Sequence, residues 1–354
     1  MKLPRITILA TLLLTAPAAA QLQITPPAAT PSPPAEKQKA KPPAPAKKKE
    51  AAPAPKPSAS PKPALPATVI PAPPTDNSNV DLVYGAYQRG QYKTAFELAT
   101  ARAQAGDPKA MTMLGELYSN AMGIRRDYAK ALEWYKRASD AGDREAMFAL
   151  AMLRISGRGG PVDKGEAVKL MASAAKLGEP KAAYNLALLY LDGQTLPQDV
   201  KRSAELLRQA ADAGLPEAQY ALATFYKEGT GVPKDPERAV RLLQAATLTD
   251  NVDAEVEYAI ALFNGTGTPK NQPAAVALLR KASRQGSAIA QNRLAWVLIN
   301  GMGTSVDKVE GFKWHLVAKT AGKGDPELDK QLSDLSAEDR AKAEAAARKW
   351  LGTK

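Results

Sequence analysis

Five aspartates recur at one phase of this chain: Asp127, Asp163, Asp199, Asp235 and Asp307. Carboxylates do general acid–base work when two of them converge on one substrate. These stand one period or two apart, so they do not converge, and each falls where a helix needs an N-cap. His315 is the sole histidine and follows Trp314. A solitary imidazole on a helix serves packing or the surface, and it excludes a His-pair metal site. The absence of cysteine excludes thiolate nucleophiles, disulfides, iron–sulfur clusters and Cys-ligated zinc. Four Gly-x-Gly loops, Gly157-Arg158-Gly159, Gly229-Thr230-Gly231, Gly265-Thr266-Gly267 and Gly301-Met302-Gly303, have the look of phosphate cradles. None follows a strand, and none carries the longer nucleotide fingerprint. The expectation is a protein that is not an enzyme, with no cofactor and no metal.

The elements that must place these residues come from a repeat. Gly106, Gly142, Gly178, Gly214, Gly286 and Gly322 are 36 residues or a multiple apart, with Asp250 in the one gap. Four positions on stand Ala110, Ala146, Ala182, Ala218, Ala254 and Ala290. Near each unit's end stand Ala138, Ala174, Ala210, Ala246, Ala282 and Ala318. Six units run from 106 to 321 without an insertion. Each reads as two helices. In the fourth, Ala218, Leu222, Ala223, Phe225 and Tyr226 recur at helical spacing, and Gly229-Thr230-Gly231 ends the run. Asp235 and Pro236 then open a second helix carrying Ala239, Leu242, Leu243 and Ala246. One pair cannot bury its apolar faces alone, so the units must stack into an all-α, right-handed α-solenoid.

The pattern Ala-x3-Leu-Ala/Gly-x2-Tyr, then Gly-x-Gly, Asp and Ala-x2-Trp/Leu-x3-Ala resembles the Sel1-like repeat, a relative of the tetratricopeptide repeat. The clearest copy is Ala110–Ala138, with Leu114-Gly115, Tyr118, Gly123, Asp127, Lys130-Ala131 and Trp134-Tyr135 in place. Departures are local. Ala121 replaces a loop glycine, Arg154 and Leu262 replace the tyrosine, Thr195 the second loop glycine and Gly311 an alanine. Residues 80–105, with Gly90-x-Tyr92-x2-Ala95, are similar to a tetratricopeptide helix pair and read as an N-terminal cap. Residues 322–354, with Ser336 and Asp339 placed for capping, read as C-terminal capping helices.

Two segments precede the repeats. Residues 1–20 read as a secretory signal: Lys2 and Arg5, then Ile6 to Leu14, then Ala18-Ala19-Ala20. Residues 21–79 hold 17 of the 29 prolines and eight lysines against three acids, which reads as a disordered Pro/Ala/Lys-rich linker. Extended at about 3.1 Å per residue, it could reach on the order of 150 Å. Of the net charge of +12, these two segments carry +2 and +5. The remaining 38 basic and 33 acidic residues are nearly balanced, which disfavours a nucleic-acid partner. Once the signal is cleaved, no membrane span is expected, and the location expected is the periplasm.

By analogy with the tetratricopeptide fold, first-helix residues line a concave face. That phase selects Phe148, Met152, Tyr184, Leu188, Tyr220, Asn264, Trp296 and Asn300 as candidate binding residues. The aromatic positions serve either as core between units or as the floor of a peptide groove, and both readings stand at this point. Ile289, Trp296 and Ile299 would form an apolar patch if they faced outward. The resemblance implies a scaffold for an envelope protein or peptide, in signalling, polysaccharide export or host interaction. The alternative is an envelope protein that binds or processes peptidoglycan or exopolysaccharide.

Overall fold

The computed structural model describes residues 77–352, which form sixteen helices and no strand. The expected signal, 1–20, and residues 21–76 of the expected linker lie outside the described residues, while its last three, 77–79, form the start of a helix and not linker. Helices α1 (Asn77–Gln88) and α2 (Tyr92–Gln104) precede the repeats. The six units follow as pairs: α3 (Pro108–Asn120) and α4 (Tyr128–Asp140), α5 (Arg144–Ser156) and α6 (Lys164–Lys176), α7 (Pro180–Asp192) and α8 (Val200–Asp212). Then come α9 (Pro216–Glu228) and α10 (Pro236–Thr247), α11 (Val252–Asn264) and α12 (Gln272–Arg284), α13 (Ala288–Ile299) and α14 (Lys308–Thr320). The end is closed by α15 (Pro326–Ser333) and α16 (Ala337–Gly352).

Nearly all packing is between helices adjacent in the chain, and α16 reaches back onto α14. The two alanine rows explain how. All twelve of these side chains are buried, at 0–3% exposure. A methyl group at the crossing lets helix backbones approach closely, and the larger Leu114, Leu150, Leu186, Leu222 and Leu294 fill the layers between pairs.

The recurrent aspartates are caps. Asp127, Asp163, Asp199, Asp235 and Asp307 each accept the backbone N–H three residues on, at 2.8–3.0 Å, and Asn271 does so in the fifth unit at 3.1 Å. The expected cap at Ser336 is also present, its Oγ accepting Asp339 N–H at 3.1 Å. First helices end in a left-handed residue, a conformation that favours glycine. Only two non-glycine described residues adopt it, Ala121 at φ 58° and Asp250 at φ 55°. Both stand where the repeat has lost its glycine. At Asp250 a clasp offsets the strain: Lys281 Nζ lies 2.6 Å from its Oδ1 and 2.7 Å from Oε1 of the fully buried Glu255.

Two glycines mark close approaches. A Cβ on Gly115 would come within 2.6 Å of the Tyr135 ring. One on Gly311 would stand 2.6 Å from Ile299 Cγ1, so the sixth unit's missing alanine methyl is replaced by a neighbouring isoleucine. The condition for a C-terminal apolar patch, that Ile289, Trp296 and Ile299 all face outward, is not met. Ile299 is buried against α14, and of the three residues only Ile289 is an exposed one.

Candidate functional site

Phe148, Tyr184 and Tyr220 stand two residues before the repeat leucine on α5, α7 and α9, and Met152 and Leu188 two after it on α5 and α7. All five are half-buried. They therefore brace neighbouring units and still present a face to solvent. Asn264 and Asn300 are exposed at the ends of α11 and α13, and Asn300 Nδ2 donates to Trp296 O at 2.9 Å.

Polar bridges tie one unit's first helix to the next along this row, including Arg144 Nη1 on α5, which donates to Leu177 O at 3.1 Å just ahead of α7. Tyr87 OH donates to Glu116 Oε1 at 2.6 Å, and Thr112 Oγ1 to Asp143 Oδ1 at 3.1 Å. Lys227 Nζ donates to Glu257 Oε2 at 2.9 Å. At the C-terminal end Asn292 Nδ2 reaches Lys323 O at 3.1 Å, and Trp296 Nε1 reaches Asp325 Oδ2 at 2.8 Å. Asp325 uses its other oxygen to cap α15 through Glu327 and Leu328 N–H. Trp296 thus docks the end cap onto the last repeat. The central residues Phe148, Met152, Tyr184 and Leu188 make no such bridge and form an apolar band.

The hydroxyls of Tyr184 and Tyr220 have no hydrogen-bond partner among the described residues. Burial pushes both phenols above their ordinary range, and nearby acids push further: Glu217 on Tyr184, Glu257 and Asp253 on Tyr220. Both therefore stay protonated at neutral pH and can donate to a ligand carbonyl. Burial also pulls the nearby Arg293 guanidinium down, opposed by Asp325 and Glu257.

His315, on α14, is fully buried, with Nε2 2.9 Å from Asp329 Oδ1 of the end cap. Lys319 Nζ meets the same oxygen at 2.7 Å. These two hydrogen bonds, Lys319 first, hold the Asp329 carboxyl below its ordinary value. Among the described residues no three His, Asp or Glu side chains are grouped to hold a metal ion, and no helix is long and apolar enough to cross a membrane. The residues that sequence reasoning passed over are Glu257, Arg293 and Asp325. Their signal was an offset of about 30 residues between bridging partners on successive first helices, which the 36-residue period hides.

A stack of paired helices with a half-exposed apolar band defines a class: the α-solenoid interaction proteins. The Sel1 repeat profile matches residues 108–143, 144–179, 180–215, 216–248, 252–287 and 288–323, and the chain belongs to that family. It is similar to the crystal structure of a protective antigen of uropathogenic Escherichia coli with the same repeat fold, at 25% identity and TM-score 0.66, over 77% of this chain and 60% of that one. The chain thus spans less than two thirds of that antigen. A Sel1 repeat protein from Oxalobacter formigenes is similar at 24% identity and TM-score 0.58, over 69% of this chain and 97% of that one. No curated protein matches the chain.

Proposed function

We propose that this protein is an exported scaffold that holds an envelope protein partner in a concave face formed by the first-helix row. The carrying observation is the contrast within that row. Thr112, Asn292 and Trp296 are tied to the next unit by hydrogen bonds, while Phe148, Met152, Tyr184 and Leu188 at the same phases are not and stay half-exposed. Apolar anchors of this size supply affinity, and the donors of Tyr184 and Tyr220 beside Glu217, Asp253 and Glu257 supply register to an extended peptide. The leader-like residues 1–20 and the Pro/Lys tract support export and a tethered reach into the periplasm.

The test is fractionation of cells followed by co-purification of the tagged full chain. The expected result is periplasmic release, with one dominant envelope protein recovered at fixed stoichiometry. Tyr184→Phe with Tyr220→Phe removes only the two hydroxyl donors and should weaken recovery of that protein while the circular dichroism spectrum and melting temperature stay near those of the parent. Cytoplasmic retention would contradict the export reading. Undiminished recovery by the folded double variant would contradict the groove.

A further inference from the structure

We propose a second binding site, in the notch between α6 and the loop of the third unit, for an acidic peptide segment bearing one apolar side chain. The notch exists because one unit lacks the seal that the others share. In units one, two, four, five and six the second loop glycine, at φ 68–79°, is pressed against the first turn of the preceding second helix. A Cβ at Gly123, Gly159, Gly231, Gly267 or Gly303 would come within 3.0 Å of Tyr92, Tyr128, Val200, Pro236 or Gln272 respectively. The third unit has Thr195 there. It lies outside the left-handed region, and its Cβ bars the same approach.

The loop is correspondingly different. In the five sealed units the residue two before that glycine's successor donates its N–H to the carbonyl five back: Met122 to Leu117, Arg158 to Leu153, Thr230 to Phe225, Thr266 to Ala261 and Met302 to Val297, at 2.9–3.1 Å. The equivalent bond from Gln194 to Leu189 is absent among the described residues; Gln198 Nε2 bonds Leu191 O instead, at 2.9 Å. The facing helix adds to the space, since Gly165 stands where other second helices carry Ala129, Lys201, Glu237, Pro273 or Val309. The result is a shallow surface notch, open to solvent, of about 390 Å³.

Its lining dictates the occupant. Val168 and Leu196 make an apolar floor, and Lys164 and Lys169 flank it. Neither lysine has an ion-pair partner among the described residues, and Asp163 and Glu166 of the same turn do not line the notch. A bare anion would meet only two exposed, salt-screened ammonium groups. An apolar side chain between carboxylates satisfies both floor and rim. None of these residues belongs to the first-helix row, so this site stands or falls separately from the groove.

The experiment titrates the full-length chain with a fluorescent peptide carrying one Leu between pairs of Glu. Saturable binding that weakens as salt rises is expected. Gly165→Leu fills the notch: a Cβ there meets only Asp163 Oδ1, at 3.6 Å, and leucine favours helix over glycine. It should cut affinity at least tenfold with the melting temperature equal or higher. Lys164→Gln with Lys169→Gln should cut affinity about tenfold and flatten the salt dependence. Tyr184→Phe with Tyr220→Phe should leave binding unchanged. No saturation at millimolar peptide, full affinity in the Gly165→Leu protein, or equal binding when the peptide's Leu is replaced by Gly would each overturn the site.

Discussion

Single residues in this protein are best understood against their five counterparts. Ala121 takes a left-handed conformation that costs an L-residue about 1–2 kcal/mol. Its exposed side chain makes Ala121→Gly the cleanest stabilising change, expected to raise stability by about 1 kcal/mol in urea unfolding. Ser203 is fully buried with no hydrogen-bond partner for its hydroxyl, where units one, two, four and five carry alanine. Ser203→Ala should stabilise by about 1 kcal/mol, because an unsatisfied buried hydroxyl costs roughly that or more. Asp235→Ala removes a cap and should cost about 1 kcal/mol. At Asp329 the folded pKa lies below the unfolded one, so its contribution is complete above the unfolded value and is lost as pH falls through the folded one. The stability gap between the parent and Asp329→Asn should therefore be open at pH 7 and close as pH drops below about 4, read by urea unfolding at each pH.

At the scale of elements, the helix pairs were legible because glycine, alanine and aspartate recur in fixed phase, and each has one local job: turn, close crossing or cap. The bridges between first helices were not. Trp296 reads from its phase as a groove residue, and only the packed cap reveals Asp325 beneath its indole nitrogen. Whether Ile299 faces outward is likewise open from its phase, and only Gly311 opposite it shows the room in which it is buried. That pair makes a test. Alanine is the better helix former by about 1 kcal/mol, yet Gly311→Ala should destabilise by about 1–3 kcal/mol through the clash with Ile299. Ile299→Ala removes the opposing Cγ1 and should cost less in the Gly311→Ala background than in the parent, so a double-mutant cycle should show non-additivity above about 0.5 kcal/mol. Additive effects would mean that the two residues do not share the space.

Across the whole repeat region, contacts between chain neighbours predominate, and stability is a sum of unit and interface terms. Such a molecule varies its surface unit by unit at little cost to the fold. The apolar band in the central units and the unsealed loop at Thr195 are two such local variations on a common backbone. The proposed function places a partner on the first-helix row and not on the second-helix face. The most direct measurement is site-specific photo-crosslinking in cells, with the photoreactive residue placed in turn at Phe148, Tyr184 and Tyr220 and at the exposed second-helix positions Lys201 and Arg241. Adducts with one envelope protein from the first three positions and none from the last two are expected. The same adduct at equal yield from both faces, or adducts from the second-helix positions alone, would contradict the claim.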